Sequence, residues 1–204
     1  MNVKVLSVGQ YEANCTLLWG NPEKAWVIDP GANAAAIKSA LESNNLSLGV
    51  VVLTHSHFDH ISALNNVLNG SDVPVYMHKA DEAFAFSPMN SMPSYPQTEK
   101  PEALNLEKTD GDMIECGGLT ARIITTPGHT PGGWCLYFED QGVLIAGDTL
   151  FAGSVGRTDL PGGDWNTLSA SLQKIKILPD DTRVICGHGP ETTIGTEKQR
   201  NPYL

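Results

Sequence analysis

The stretch Thr54-His55-Ser56-His57-Phe58-Asp59-His60 decides how the rest of the chain is read. Val50, Val51, Val52 and Leu53 lead into it. An uninterrupted, mostly β-branched apolar run of that length reads as a strand buried on both faces. Three further apolar runs end in the same way. Ile123-Ile124 leads to Pro127-Gly128-His129, Val143-Leu144-Ile145 to Gly147-Asp148, and Val184-Ile185 to Gly187-His188. One histidine after one strand carries little information. Seven His or Asp positions at strand ends, most beside glycines that let backbones pack closely, point to a metal site with two centres.

Working outward, strands are expected at Val3 to Val8, Cys15 to Trp19 and Ala25 to Ile28, the last stopped by Asp29-Pro30-Gly31. A first helix follows, with Asn33 as its cap and Ile37, Ala40 and Leu41 on one face. After the ligand loop, Ile61, Leu64, Val67 and Leu68 mark a second helix that stops at Asn69-Gly70. Val73 to Met77 reads as a strand and Ala80 to Phe86 as a short helix. Residues 87–101 hold four prolines among polar residues and read as a loop, either a lid over the site or a static surface segment. Strands are expected again at Asp112 to Cys116, Leu119 to Thr125, Trp134 to Phe138 and Val143 to Ala146. Asp164 then caps a helix carrying Leu168, Leu172 and Ile175, and a last strand, Arg183 to Cys186, delivers His188. Strands and helices, then strands and helices again, imply two similar halves, each a sheet covered by helices on its outer face.

Composition limits what such a site can serve. The chain has 204 residues, most simply one domain over 1–204, with 41% hydrophobic and 18% charged residues. Its formal charge of −10 and the lack of a basic run argue against nucleic acid, whose binding needs clustered Lys and Arg. Cys15, Cys116, Cys135 and Cys186 form no Cys-x-x-Cys pair, so thiols in a reducing cytoplasm are expected. Met1 to Val5 does not read as a signal peptide, and no run reaches membrane-spanning length.

The chemistry follows from the residue types. His55 and His57 alternate along an extended loop, so both imidazoles can point the same way. Asp59 and His60 follow where the chain turns into a helix, aimed at a neighbouring point. His129 is the candidate third nitrogen for one centre and His188 for the other. Asp148 can bridge them, since a carboxylate offers two oxygens and a negative charge. Two divalent ions are therefore expected, zinc first, with iron and manganese suited to the same donors. Ions about 3.5–4 Å apart can share a water, bring its pKa near neutrality and polarise a carbonyl. No Ser elbow or Cys/His pair competes as nucleophile. His78 lies outside the pattern, Cys186 reads as an inert buried thiol and Trp134 as core.

The motif Thr54-His55-x-His57-x-Asp59-His60, with His129, Asp148 and His188 downstream and Asp29 upstream, resembles the metallo-β-lactamase superfamily over essentially the whole chain. The resemblance implies an α/β fold of the αββα sandwich type, two mixed sheets face to face with helices outside. It also implies His55, His57 and His129 on the first metal, Asp59, His60 and His188 on the second, and Asp148 between them. Asp29 would support the ligand loop from behind.

Gly147 to Asp159 and the ending Gly187-His188-Gly189-Pro190 are similar to the glyoxalase II branch, where a basic residue at the position of Arg157 meets the glutathione carboxylate. The chain looks like the short bacterial members of that branch, without the C-terminal helical region of the full-length enzymes. The expected partner is thus a small-molecule thioester such as S-lactoylglutathione, with no membrane or nucleic acid involved. The runner-up is a persulfide dioxygenase, which shares a Gly-Arg-Thr-Asp stretch like Gly156 to Asp159 and uses one iron on His55, His129 and Asp148. A β-lactamase ranks lower because a cytoplasmic chain would not meet the drug, and a non-catalytic binding protein ranks last because no ligand is lost.

Overall fold

Neighbouring residues of the strand before the ligand loop bury into different cores, and that alternation builds the architecture. The structure, a computed structural model, describes residues 1–20 and 24–204. One six-stranded sheet holds β1 (Asn2–Val8), β2 (Ala13–Trp19), β3 (Lys24–Ile28), β4 (Ser47–Val52), β5 (Val75–Tyr76) and β6 (Leu104–Asn105) in that order. Its first three strands pair antiparallel and the rest, from β3 on, parallel. The second six-stranded sheet contains β7 (Met113–Cys116), β8 (Leu119–Thr125), β9 (Trp134–Phe138), β10 (Val143–Gly147), β13 (Arg183–Cys186) and β14 (Thr192–Thr193). Its order is β14-β13-β10-β9-β8-β7, with only β10 and β13 parallel. A small hairpin, β11 (Leu150–Phe151) and β12 (Ser154–Val155), stands apart from both sheets.

Val51 points outward with Leu17 and Val27 to pack on Ile37 and Leu41 of α1 (Ala34–Ser43) and Leu64 of α3 (Leu64–Leu68), which follows the single turn α2 (Phe58–Ile61). Val50 and Val52 point inward with Trp26 and Ile28, and meet Ile123, Trp134, Leu136, Phe138 and Ile145 of the facing sheet. The other face of that sheet, with Ile124, Tyr137, Leu144 and Val184, is covered by Leu168, Leu172 and Ile175 of α5 (Trp165–Lys176). Strands buried on both faces need apolar residues at every position, which explains the unbroken runs in the sequence. The result is the αββα sandwich with two mixed sheets. Truncating a central side chain such as Leu172 to Ala is expected to cost about 2–5 kcal/mol. Among the described residues, no helix is long and apolar enough to cross a membrane.

Several elements differ from expectation. Asn33 sits before α1 but in the left-handed region, with φ of 54°, and makes no side-chain cap. Its Oδ1 accepts instead from Gly9 N–H at 2.8 Å, a long-range contact that outcompetes the local one. The second helix is interrupted between Ile61 and Leu64, forming α2 and α3. Val73 to Met77 shrinks to the two residues of β5, and the Ala80 to Phe86 helix to a 3₁₀ turn, Lys79–Asp81, followed by α4 (Glu82–Ala85). α6 (Ile194–Arg200) was not expected. Asp164 does cap α5, its Oδ1 accepting from Thr167 N–H at 2.7 Å.

Residues 87–101 are pinned down rather than poised as a lid. Asn90, Tyr95 and Thr98 are buried, and the Asn90 amide donates to the main-chain oxygens of Ser56 and Ala85.

Candidate metal centre

The parallel strands β3 and β4 end side by side, and the turn after each carries polar residues toward the same edge of the sandwich. Asp29 follows β3 with φ of 53°, a left-handed conformation that Asp tolerates better than most residues. Its carboxylate grips the start of the ligand loop: Oδ1 accepts from Thr54 N–H at 2.7 Å and Oδ2 from Thr54 Oγ1–H at 2.6 Å. β10 and β13, also parallel, deliver Asp148 and His188 to the same edge, and the turn between β8 and β9 delivers His129. Gly187 is required here, because a Cβ on it would lie 2.0 Å from Asp148 Oδ1.

The seven sequence-predicted residues converge. His55, His57 and His129 bring ligand nitrogens within 4.8 Å of one another, and so do the ligand atoms of Asp59, His60 and His188. Asp148 lies between the two groups. Its Oδ2 is 4.0 Å from His55 Nε2, 3.5 Å from His129 Nε2 and 3.6 Å from His188 Nε2, while Oδ1 is 3.5 Å from His60 Nε2. Asp29, His55 and His60 also form a close group. The Asp29 oxygens are already committed to Thr54 and to His60 Nδ1, so that group does not compete for a metal.

Hydrogen bonds on the outer ring nitrogens determine what the inner nitrogens offer. His129 Nδ1 donates to the Arg157 main-chain oxygen at 2.7 Å, and His188 Nδ1 to the Tyr11 main-chain oxygen at 2.9 Å. A carbonyl carries no proton, so each N–H belongs to the histidine. His60 Nδ1 faces Asp29 Oδ2 at 3.1 Å, and His55 Nδ1 faces Thr54 Oγ1, whose own proton goes to Asp29, at 3.0 Å. Four imidazoles are thereby oriented with Nε2 turned inward, the arrangement that outer hydrogen bonds impose on metal-binding histidines. His57 turns Nδ1 inward, 2.9 Å from His129 Nε2. His55 Nε2 and Asp148 Oδ1 are buried without any hydrogen-bond partner. Orphaned acceptors that converge in this way fit a cation, and the mixed N/O donor set suits zinc, iron or manganese.

The electrostatics agree. Burial, then neighbouring His129 and His60, hold His57 down to about 3. Burial, with His60 and His129, holds His55 well below the usual histidine range, so both stay neutral. Burial alone would raise Asp59, but His188 and His60 outweigh it and bring it to about 2. Burial works against a charge on His60, yet Asp148, Asp29 and Asp59 lift it to about 10. A proton or a metal must therefore sit among these carboxylates, and binding a metal displaces the proton.

A pocket of about 570 Å³ opens above both groups, lined by Tyr11, Phe58, Phe151, Val155 and Leu160 beside the site residues. Arg157 reaches this rim, where its guanidinium makes two hydrogen bonds to Asp159, at 2.7 and 2.8 Å. His78 stays outside the cluster, its Nδ1 accepting from Ala80 N–H. Trp134 is core, its indole N–H donating to the Leu53 oxygen, and Cys186 is buried with its thiol pushed up to about 12 by burial. The contribution of Tyr11, through its main-chain oxygen and its ring, was not foreseen, and no motif in the sequence marks it.

Residues 8–188 match the profile of the Metallo-beta-lactamase superfamily. The hydroxyacylglutathione hydrolase GloC of Haemophilus influenzae is 35% identical over all of this chain and 98% of its own. Two solved structures share the fold closely. BLEG-1 B3 metallo-beta-lactamase superposes with a TM-score of 0.93 at 37% identity, covering 100% of this chain and 99% of that one. TTHA1623 in a di-iron-bound form superposes at 0.82 with 33% identity, covering 98% and 100%. The αββα sandwich, the converging His and Asp side chains and these likenesses agree: the chain belongs to the metallo-β-lactamase superfamily.

Proposed function

We propose that this chain is a dinuclear-metal hydrolase that cleaves a glutathione thioester such as S-lactoylglutathione. The observation that carries the reading is the placement of Asp148 within 4.0 Å of inward nitrogens from both His/Asp groups, at the floor of an open pocket. His55, His57 and His129 would hold one ion, Asp59, His60 and His188 the other, and Asp148 would touch both. Such ions supply a water of near-neutral pKa and polarise the scissile carbonyl. Asp59, ionised down to about 2, orients a water proton without being a strong base. Tyr11, Phe58, Phe151 and Leu160 exclude water from the acyl group, and Arg157 stands where a substrate carboxylate would arrive. The name of GloC supports the thioester class. The cytoplasm, zinc as the metal and a single domain over 1–204 belong to the same proposal.

The likeness to BLEG-1, named a metallo-beta-lactamase, favours a second reading, hydrolysis of a cyclic amide at this same site. One assay separates the readings. Metal-quantified protein and a chelator-treated control are offered S-lactoylglutathione and nitrocefin, and loss of each chromophore is followed. Metal-dependent loss of the thioester alone supports the proposal. Nitrocefin turnover alone puts the lactam first. If neither reacts and a single iron is bound with oxygen uptake on a persulfide, the dioxygenase replaces both. Asp148→Asn, which keeps the shape and removes the charge, should lose most activity and bound metal. Wild-type turnover with both ions in that variant would sink the two-metal mechanism.

A further inference from the structure

Asp81 ends the 3₁₀ turn Lys79–Asp81 and is 1% exposed, yet it belongs to neither group of converging donors. No ion pair among the described residues includes it. A buried carboxylate without a cation is costly unless its oxygens are hydrogen-bonded. Here they are. Oδ2 accepts from Thr130 Oγ1–H at 2.8 Å and Oδ1 from Gly132 N–H at 2.6 Å. Ser56 is close enough to the same carboxylate to oppose the rise in its pKa that burial causes. Ser56 stands between His55 and His57, and Thr130 follows His129. One buried side chain therefore holds the turn that follows His129 and lies near the loop that carries His55 and His57. Gly132 lies so close that a Cβ on it would be 2.7 Å from Asp81 Cγ, so a side chain at 132 would displace the carboxylate.

We propose that Asp81 is a positioning residue for the first metal: by holding the Thr130–Gly132 turn with two hydrogen bonds, it sets the place of His129 relative to His55 and His57. Its relation to this triad parallels that of Asp29 to Thr54 and His60. The inference rests on the dinuclear reading only in requiring that a metal occupies the first triad.

The test is a stepwise cobalt(II) titration of the metal-free full chain, read by d–d absorption and by competition with a chromophoric chelator. His129→Ala and His188→Ala assign the two steps, each deleting one. In Asp81→Asn the amide turns an N–H₂ toward groups that already donate. The expected result is a first-site affinity about 10–100-fold weaker, the size typical of lost outer-shell partners, with a changed first-site spectrum and an unaltered second step. Gly132→Ala, which pushes on the same carboxylate, should do likewise, and Thr130→Val, which removes one donor, should give a smaller loss. Ile175→Ala, remote in the outer helix layer, is the control for lost stability and should leave both steps in place. Two wild-type-like steps in folded Asp81→Asn overturn this proposal alone. An equal weakening of both steps, or one matched by Ile175→Ala, makes Asp81 merely structural. A wild-type chain without a first step overturns the dinuclear reading, and this proposal with it.

Discussion

The Nε2 atoms of His60 and His188 face each other at 3.1 Å, while their Nδ1 atoms are bound to Asp29 and to the Tyr11 main-chain oxygen. Two ring nitrogens held this way need a positive charge between them. With no metal bound, the surrounding carboxylates keep that charge as a proton on His60, which stays protonated up to about 10. At pH 7, below that value, metal binding must expel the proton. Calorimetric titration with zinc in buffers of different ionisation enthalpy should show about one proton or more released per loaded chain. Heat independent of buffer would contradict this arrangement.

Gly187→Ala should damage the centre more than the fold. The added methyl would fall on Asp148 Oδ1 and on the Gly147 carbonyl carbon, moving the carboxylate shared by both triads. Far-UV circular dichroism is expected to stay native while bound metal drops below two ions per chain and activity falls at least about tenfold. Full metal content would show that Asp148 has more freedom than its packing suggests.

The four cysteines should behave unequally toward a thiol reagent. Burial raises Cys15 well above its ordinary range, Cys135 to about 11 and Cys186 to about 12, so at pH 8 almost none of these is thiolate. Cys116 is also raised, but it is half-buried and reachable. Native protein should therefore react slowly and at no more than one thiol, and at all four after denaturation. Fast modification of two or more native thiols would show that the core opens.

Arg157→Ala separates two functions of one residue. The main-chain oxygen that orients His129 survives the substitution, whereas the guanidinium paired with Asp159 is lost. That pair is largely exposed, so melting temperature and metal content should not change. KM for S-lactoylglutathione should rise several-fold and KM for an uncharged lactoyl thioester should not. Equal effects on both substrates would remove Arg157 from carboxylate recognition.

The sequence revealed the layers and the seven converging residues because both are written locally. Val50 to Leu53 has one composition whichever strand it pairs with, and the ligands sit in short strings at strand ends. The two-residue strands β6, β11, β12 and β14 are too short to show any period. Asp81 and Tyr95 were illegible for another reason. Their partners lie far along the chain: Asp81 bonds a residue 49 positions away, and the Tyr95 hydroxyl accepts from Tyr11 N–H across 84. Asn33 shows the same limit in reverse, since a residue suited to capping was taken by Gly9 instead.

The first hairpin and the end of β13 meet at the centre. Ala13 bridges to His188, and the Asn14 side chain donates to the main-chain oxygens of Cys186 and Gly189, 172 and 175 residues away. Contacts of such span form late, because the intervening loop must close first. The first triad is complete once residue 129 has been made, whereas the second must wait for residue 188. If each triad takes an ion, the donors of the first are complete before those of the second, and only the second requires that the chain's beginning and end have found each other.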